Sequence, residues 1–218
     1  MRRARLALLI PAAALALGAC GGDDSTSTSA SAEGCPEVDA PATKKLDLPA
    51  PKAKAPTASG VTFQTSCGDF TVTFDDRAPK TDASFQYLAE EGAFDDTVFH
   101  RVVPGFVIQG GDPLGSDPDK AGTGGPGYFV DEPPPGNLAY TEGTVAMAKS
   151  AAEPIGRSGS QFFVVVAADA GLTPDYALVG KVTDGMDVVQ AISELGEQGS
   201  DGPPSTPVVI ESATPVEG

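Results

Sequence analysis

The chain has 218 residues, 40% of them apolar, 20% charged and 6% aromatic, with no Trp. Those proportions describe a globular domain with some non-globular chain, and they exclude a collagen-like or multi-span membrane protein. Against 30 Asp and Glu there are only 14 Lys and Arg, and the resulting formal charge of −16 repels phosphate backbones and excludes a nucleic-acid partner.

Arg2, Arg3 and Arg5 precede an apolar run from Leu6 to Leu17. The run has the length of a signal peptide and falls short of the roughly 20 residues a spanning helix needs. It ends in Leu17-Gly18-Ala19-Cys20, which resembles a bacterial lipobox. The resemblance implies cleavage after residue 19 and a diacylglyceryl group on Cys20. An ordinary cleaved signal or an uncleaved anchor would leave the Cys at that position unexplained. Residues 1–19 are therefore expected to be a lipoprotein signal peptide, and residues 20–58 a disordered, lipid-anchored tether rich in Pro, Ala, Ser and Lys. The expected location is the outer face of a bacterial cytoplasmic membrane. The acidic surface does not adhere to anionic lipid, so the acyl chains must hold it there.

Two further Cys remain, Cys35 in the tether and Cys67 beside the first predicted hairpin. An exported chain matures where disulfides persist. A Cys35–Cys67 bridge is the preferred reading over two free thiols or an intermolecular bond. By closing a loop of about 30 residues it would contribute roughly 3–4 kcal/mol in the chain-entropy picture.

From residue 61 apolar and polar residues alternate: Val61, Phe63 and Thr65, then Phe70, Val72 and Phe74 after Cys67-Gly68-Asp69. This predicts a β-hairpin with one buried face. Pro79, the spacing of Phe85, Leu88 and Ala89, and Gly92 predict a helix of about three turns. Strands are predicted at Thr97 to Val103, Phe106 to Gln109, Thr144 to Ala148, Phe162 to Ala168, Ala177 to Val182 and Val208 to Ser212. A second helix is predicted with Asp184 as its cap and Met186, Val189 and Ile192 on one face. Many short strands with only two helices predict a β-barrel or sandwich.

Several apparent motifs carry no chemistry. Gly122-Thr123-Gly124-Gly125-Pro126-Gly127 has the spacing of a dinucleotide fingerprint, but Pro126 and the extended Tyr128-Phe129-Val130 follow it where a helix is required. Acidic pairs such as Asp75-Asp76 and Asp131-Glu132 lack the spacing of a Ca²⁺ loop, and a solvated surface explains them better. His100 is the only His, and there is no G-x-S-x-G elbow to pair with it. No metal site and no cofactor are expected.

The informative stretch is Phe99-His100-Arg101-Val102-Val103-Pro104-Gly105-Phe106-Val107-Ile108-Gln109-Gly110-Gly111-Asp112, followed by Gly122 to Gly125, Gly143 to Ala148, Gly159-Ser160-Gln161-Phe162-Phe163 and Val179 to Val182. In type and order these blocks resemble the cyclophilin family of peptidyl-prolyl cis-trans isomerases. The resemblance runs from about residue 59 to 213, with 214–218 left as a C-terminal tail. It implies an all-β fold, an eight-stranded antiparallel closed barrel capped by two α-helices, with a proline pocket on its outer face. It also implies catalytic roles for Arg101, Gln109 and Phe106. Substrate contacts are implied for His100, Met147, Ala148, Lys149, Gln161, Phe163, Leu172 and Tyr176.

These residue types suit the reaction. Rotation about an X-Pro bond makes and breaks no covalent bond, but it must overcome amide resonance worth about 18–20 kcal/mol. As the amide twists, the prolyl nitrogen gains a lone pair, and a charged donor aimed at it favours the twisted state. By match to the family motif, Arg101 is that donor. Phe106, Met147, Phe163 and Leu172 match the socket for the proline ring, although by pattern alone each would be ordinary core.

The chain also departs from the commonest family pattern. Gly171 stands where many members have a Trp that contacts cyclosporin, which implies weak inhibition. Tyr176 replaces a His, Lys149 replaces an Asn, and the segment from Ser150 to Ser158 is about three residues longer than usual. The expected protein is a monomeric isomerase acting on proline-containing segments of unfolded or exported proteins, and a non-catalytic proline-binding or holdase module on the same fold is the alternative.

Overall fold

The computed structural model describes residues 34–53 and 55–218, so the signal segment and Cys20 lie outside the described residues. The predicted hairpin is formed by β1 (Ala58–Thr65) and β2 (Gly68–Phe74). Phe63 and Phe70 are opposite each other in the register and stack at 5.0 Å, which fixes the buried face. Helix α1 (Pro79–Glu90) follows. Then come β3 (Thr97–Val98), β4 (Arg101–Val103), β5 (Val107–Gly110), β6 (Val130–Asp131), β7 (Thr144–Met147), β8 (Arg157–Ser158), β9 (Phe162–Val165) and β10 (Leu178–Asp184). Helix α2 (Met186–Glu194) and β11 (Val209–Glu217) complete the chain.

One antiparallel sheet runs in the order β3-β11-β1-β2-β10-β7-β9-β5-β4, and β6 pairs separately with β8. The strands at the two ends of that order, β3 and β4, are separated in sequence only by Phe99 and His100. Val98 pairs with Val209 of β11 on one side and forms a bridge to Asp112 on the other, in the register already set by Arg101 with Gln109 and Val102 with Ile108. Residues 97–103 thus act as one strand that closes the sheet, giving the eight-stranded barrel. Closure leaves the large sheet without an exposed edge.

The barrel interior holds Phe63, Phe70, Phe99, Phe162, Val145, Met147 and Val164, and α1 adds Phe85 and Leu88. Phe162 lies 5.1 Å from Phe63 and 5.5 Å from Phe85, ring centre to ring centre. Because Ala78 caps α1 without a side-chain bond, the free N–H groups of its first turn find a distant partner. Glu132 accepts from the Thr81 N–H at 2.7 Å and from the Lys80 N–H at 3.3 Å.

Three expectations need correction. Asp184 ends β10 and does not cap α2, whose first turn is entered through Gly185 at φ 75°. Most of the expected tail, 214–218, continues β11 as far as Glu217 and pairs with β1. Within the expected tether, residues 34–53 have no helix or strand but are fastened to the barrel. The Lys44 N–H donates to Pro113 O at 3.0 Å, and the Leu48 N–H donates to Pro126 O at 2.8 Å. Lys44 Nζ donates to Gly92 O at 2.8 Å and also to Asp95 O. Burial lowers the Lys44 pKa, opposed by the nearby Asp95 and Asp96 carboxylates. At the start of this strap, Cys35 is joined to Cys67 by a disulfide across a separation of 32 residues, with the Cα atoms 4.5 Å apart. The strap is invisible to periodicity because isolated residues and backbone groups hold it.

Candidate active site

Alternation along the strands sorts core from site. In β9, Phe162 and Val164 point into the barrel while Phe163 and Val165 point outward; in β5, Ile108 points in and Val107 points out. The register then aligns outward residues of four adjacent strands. Arg101 of β4 is opposite Gln109 of β5, Gln109 is opposite Phe163 of β9, and Phe163 is opposite Ala146 of β7. A cation, an amide and an aromatic ring are therefore side by side on the outer wall.

This row lies along a groove of about 880 Å³. That size suits a peptide segment of several residues better than a single ring. One part is apolar, lined by Phe106, Val107, Ala148, Phe163, Leu172 and Tyr176. Tyr176 meets Phe163 edge to face at 5.3 Å. The buried Tyr140 holds the Tyr176 backbone at both ends: its hydroxyl donates to Tyr176 O at 2.6 Å and accepts from the Tyr176 N–H at 3.1 Å. Burial pushes the Tyr140 phenol up to about 12, so it stays a neutral donor at ordinary pH.

A polar relay crosses the groove. Arg101 Nη1 donates to Gln109 Oε1 at 3.2 Å, Gln109 Nε2 donates to Gln161 Oε1 at 3.1 Å, and Gln161 Nε2 donates to Gly124 O at 2.9 Å. On its other side the guanidinium meets Asp201, with Nε on Oδ1 at 2.5 Å and Nη2 on Oδ2 at 3.1 Å. A guanidinium has five N–H donors. The three bonds found among the described residues leave a second N–H on each of Nη1 and Nη2. The hydrogen bond from Arg101 also holds the Asp201 carboxyl below its usual value.

Comparison with known proteins gives this arrangement a family. The family model of the cyclophilin-type peptidyl-prolyl cis-trans isomerases matches residues 60–215. The chain belongs to the cyclophilin family. It is an isomerase of the peptidyl-prolyl cis-trans type. Peptidyl-prolyl cis-trans isomerase A of Mycobacterium tuberculosis is 40% identical over 172 residues, covering 70% of this chain and 90% of that protein. Peptidyl-prolyl cis-trans isomerase-like 1 of Aspergillus fumigatus is 34% identical over 166 residues, covering 74% and 98%. Among solved structures, a cyclophilin-type isomerase of Cryptosporidium parvum determined in the presence of the dipeptide Ala-Pro superposes with a TM-score of 0.63. It is 29% identical, and the match covers 73% of this chain and 99% of that one.

Of the residues predicted for the cyclophilin site, Arg101, Phe106, Gln109, Ala148, Lys149, Gln161, Phe163, Leu172 and Tyr176 line the one groove. Two do not. Met147 is 1% exposed and faces the barrel interior, because it shares the inward phase of Val145 while Ala146 takes the outward one. His100 is also buried, beneath Gln109, with its Nε2 3.4 Å from Gln109 Nε2. Burial lowers its pKa below the ordinary imidazole value, against the opposing pull of Asp112. Lys149 folds back onto its own loop, donating to Ser150 O and Glu153 O, and its Nζ is 5.7 Å from the centre of the Tyr176 ring. Gly171, at φ 63°, has open space where a side chain would start, and a Trp there would sit in a strained backbone conformation.

Sequence reasoning missed Val107, Asp201 and Leu46. Val107 was legible as the outward neighbour of Gln109 in a period-two strand. Asp201 gave no signal, because its loop carries no periodicity and its role depends on the fold bringing it 100 residues back to Arg101.

Proposed function

We propose that this cyclophilin isomerises X-Pro bonds in exported proteins, with Arg101 as the group that stabilises the twisted transition state. The apolar part of the groove, built from Phe106, Val107, Phe163 and Leu172, seats the pyrrolidine ring. The observation that carries the reading is the register that sets Arg101, Gln109 and Phe163 side by side on one wall. A proline seated on Phe163 would be two strands from Arg101, with Gln109 between them.

In the planar amide the prolyl nitrogen has no free lone pair, and a donor gains little there. In the twisted amide the pyramidal nitrogen accepts one of the N–H groups left over on Arg101, so the guanidinium bonds the transition state more strongly than the ground state. Gln109 and Asp201 hold the plane of the guanidinium, so little orientation entropy is lost during the reaction. Gln161 and the backbone around Gly124 offer polar groups to the client main chain. No nucleophile is required, since no covalent bond changes partner.

The reading extends to location. A signal segment cleaved after residue 19 would leave Cys20 to hold the enzyme by its lipid on the outer face of the cytoplasmic membrane, where clients emerge unfolded and no nucleotide is needed for this reaction. The test is a protease-coupled or exchange assay on an Ala-Pro peptide with wild type and Arg101→Ala. The expected loss in kcat/KM is about two to three orders of magnitude, from roughly 3–4 kcal/mol of lost transition-state stabilisation. Equal rates for the two proteins reject the role of Arg101, and binding without turnover by wild type favours the non-catalytic alternative. Mass spectrometry of the mature protein reads the lipid on Cys20 directly.

A further inference from the structure

The family match begins at residue 60, yet one wall of the groove includes a residue from before it. Leu46, part of the strap fastened to the barrel, lines the same groove as Arg101 and Phe163. The placement is built into the fold. Leu48 N–H bonds to Pro126 O beside it, Lys44 is anchored in the carbonyls of Gly92 and Asp95, and Cys35 is bonded to Cys67. The barrel makes room for the strap: a Cβ added at Gly127, whose φ is +100°, would lie 3.1 Å from the Asp47 Cα and 3.2 Å from the Leu48 nitrogen. Tyr128 and Phe129 follow on the same wall: Tyr128 is 8% exposed with its hydroxyl bonded to Ser84, whereas Phe129 is 60% exposed, with the Arg157 guanidinium 5.3 Å from its ring centre.

We propose that Leu46 is a specificity-determining residue, forming with Tyr128 and Phe129 an apolar seat for a client side chain a few residues away from the proline. The inference rests on the reading of this groove as the site of a proline-containing peptide, and it names what that site selects. The seat owes its apolar character chiefly to a Leu supplied by the strap and the exposed part of the Phe129 ring, with Tyr128 adding only a small exposed edge. An aliphatic or aromatic client residue gains from burial there, whereas Ala leaves the seat unfilled.

The test is a set of peptides with one central Ala-Pro, an otherwise Ala background and a single Leu walked from four residues before the proline to three after it. Binding by fluorescence anisotropy and kcat/KM are measured for each peptide, relative to the all-Ala parent, with wild type, Leu46→Ala and Leu46→Asp. Wild type is expected to favour Leu at one position by about five- to tenfold. That ratio should fall to about one in Leu46→Asp and lie between in Leu46→Ala, whose smaller change keeps the comparison if the Asp displaces the strap. A flat wild-type profile, or a preference that survives in Leu46→Asp, overturns the proposal. If wild type binds these peptides but turns none of them over, the isomerase reading fails while the binding ratios still decide the role of Leu46.

Discussion

Asp201 grips Arg101 through both carboxylate oxygens, Oδ1 on Nε and Oδ2 on Nη2, on the side of the guanidinium away from Gln109. The pair is too exposed to matter much for stability, with Asp201 at 65% side-chain exposure. On the proposed mechanism its value is orientation. Asp201→Asn should lower kcat about three- to tenfold with little change in KM and less than about 1 kcal/mol in stability. The wild-type rate should also fall only at pH below the ordinary carboxylate range, because Arg101 keeps Asp201 ionised to lower pH. Asp201→Asn should lose that acid limb, and an unchanged pH profile would show that the pair is only a surface contact.

His100 titrates below its unfolded value, so it is neutral across the range where the enzyme would be assayed. Its contribution to stability is complete above the unfolded value of about 6.5 and is lost as pH falls below it. A kcat/KM profile measured from pH 6.5 to 8.5 should therefore show no inflection, while the urea midpoint declines as pH drops from 6.5 to 5. An inflection near 7 that disappears in His100→Gln would place proton transfer at this residue.

Asp82 on α1 is 1% exposed, and its Oδ1 has no hydrogen-bond partner among the described residues. Burial, with the nearby Glu132 and Asp75 carboxylates, pushes its pKa up to about 9. Stability from this group is complete below about pH 3.9 and is lost progressively as pH rises toward 9. Asp82→Asn should accordingly stabilise the protein by about 2–4 kcal/mol at pH 7.5 and by little at pH 4.5. Denaturant titrations at the two pH values would refute the assignment if the gain were the same at both.

Reducing the Cys35–Cys67 bond should release the strap end and destabilise the chain by about 3–4 kcal/mol, or roughly 10 °C in the melting temperature. Cys35→Ser should reproduce the effect without reductant. A melting temperature that does not change in either case would mean that the strap is held by Lys44 and Leu48 alone.

Most of the barrel was legible because its strands alternate. Phe63 and Phe70, or Phe162 and Phe163, declare inside and outside by their parity, and the block from Phe99 to Asp112 carries the closing strand and its partner together. The mistake at Met147 came from reading a motif position without its phase: the same parity that makes Val145 core makes Met147 core. The strap and Asp201 were illegible for a different reason. The strap is held by isolated hydrogen bonds to distant residues, such as Lys44 with Asp95, and Arg101 meets Asp201 across 100 residues; no local pattern encodes such meetings. The two-stranded pairing of β6 with β8 escaped for the same reason, since each strand is only two residues long.

The residues proposed to grip the proline point away from the barrel axis, so a client would be read from its flank and never have to be swallowed. Neither chain terminus needs to be free. Such a site would let an enzyme service the middle of a polypeptide whose flanking portions have already folded, stepping off sideways once the imide has flipped.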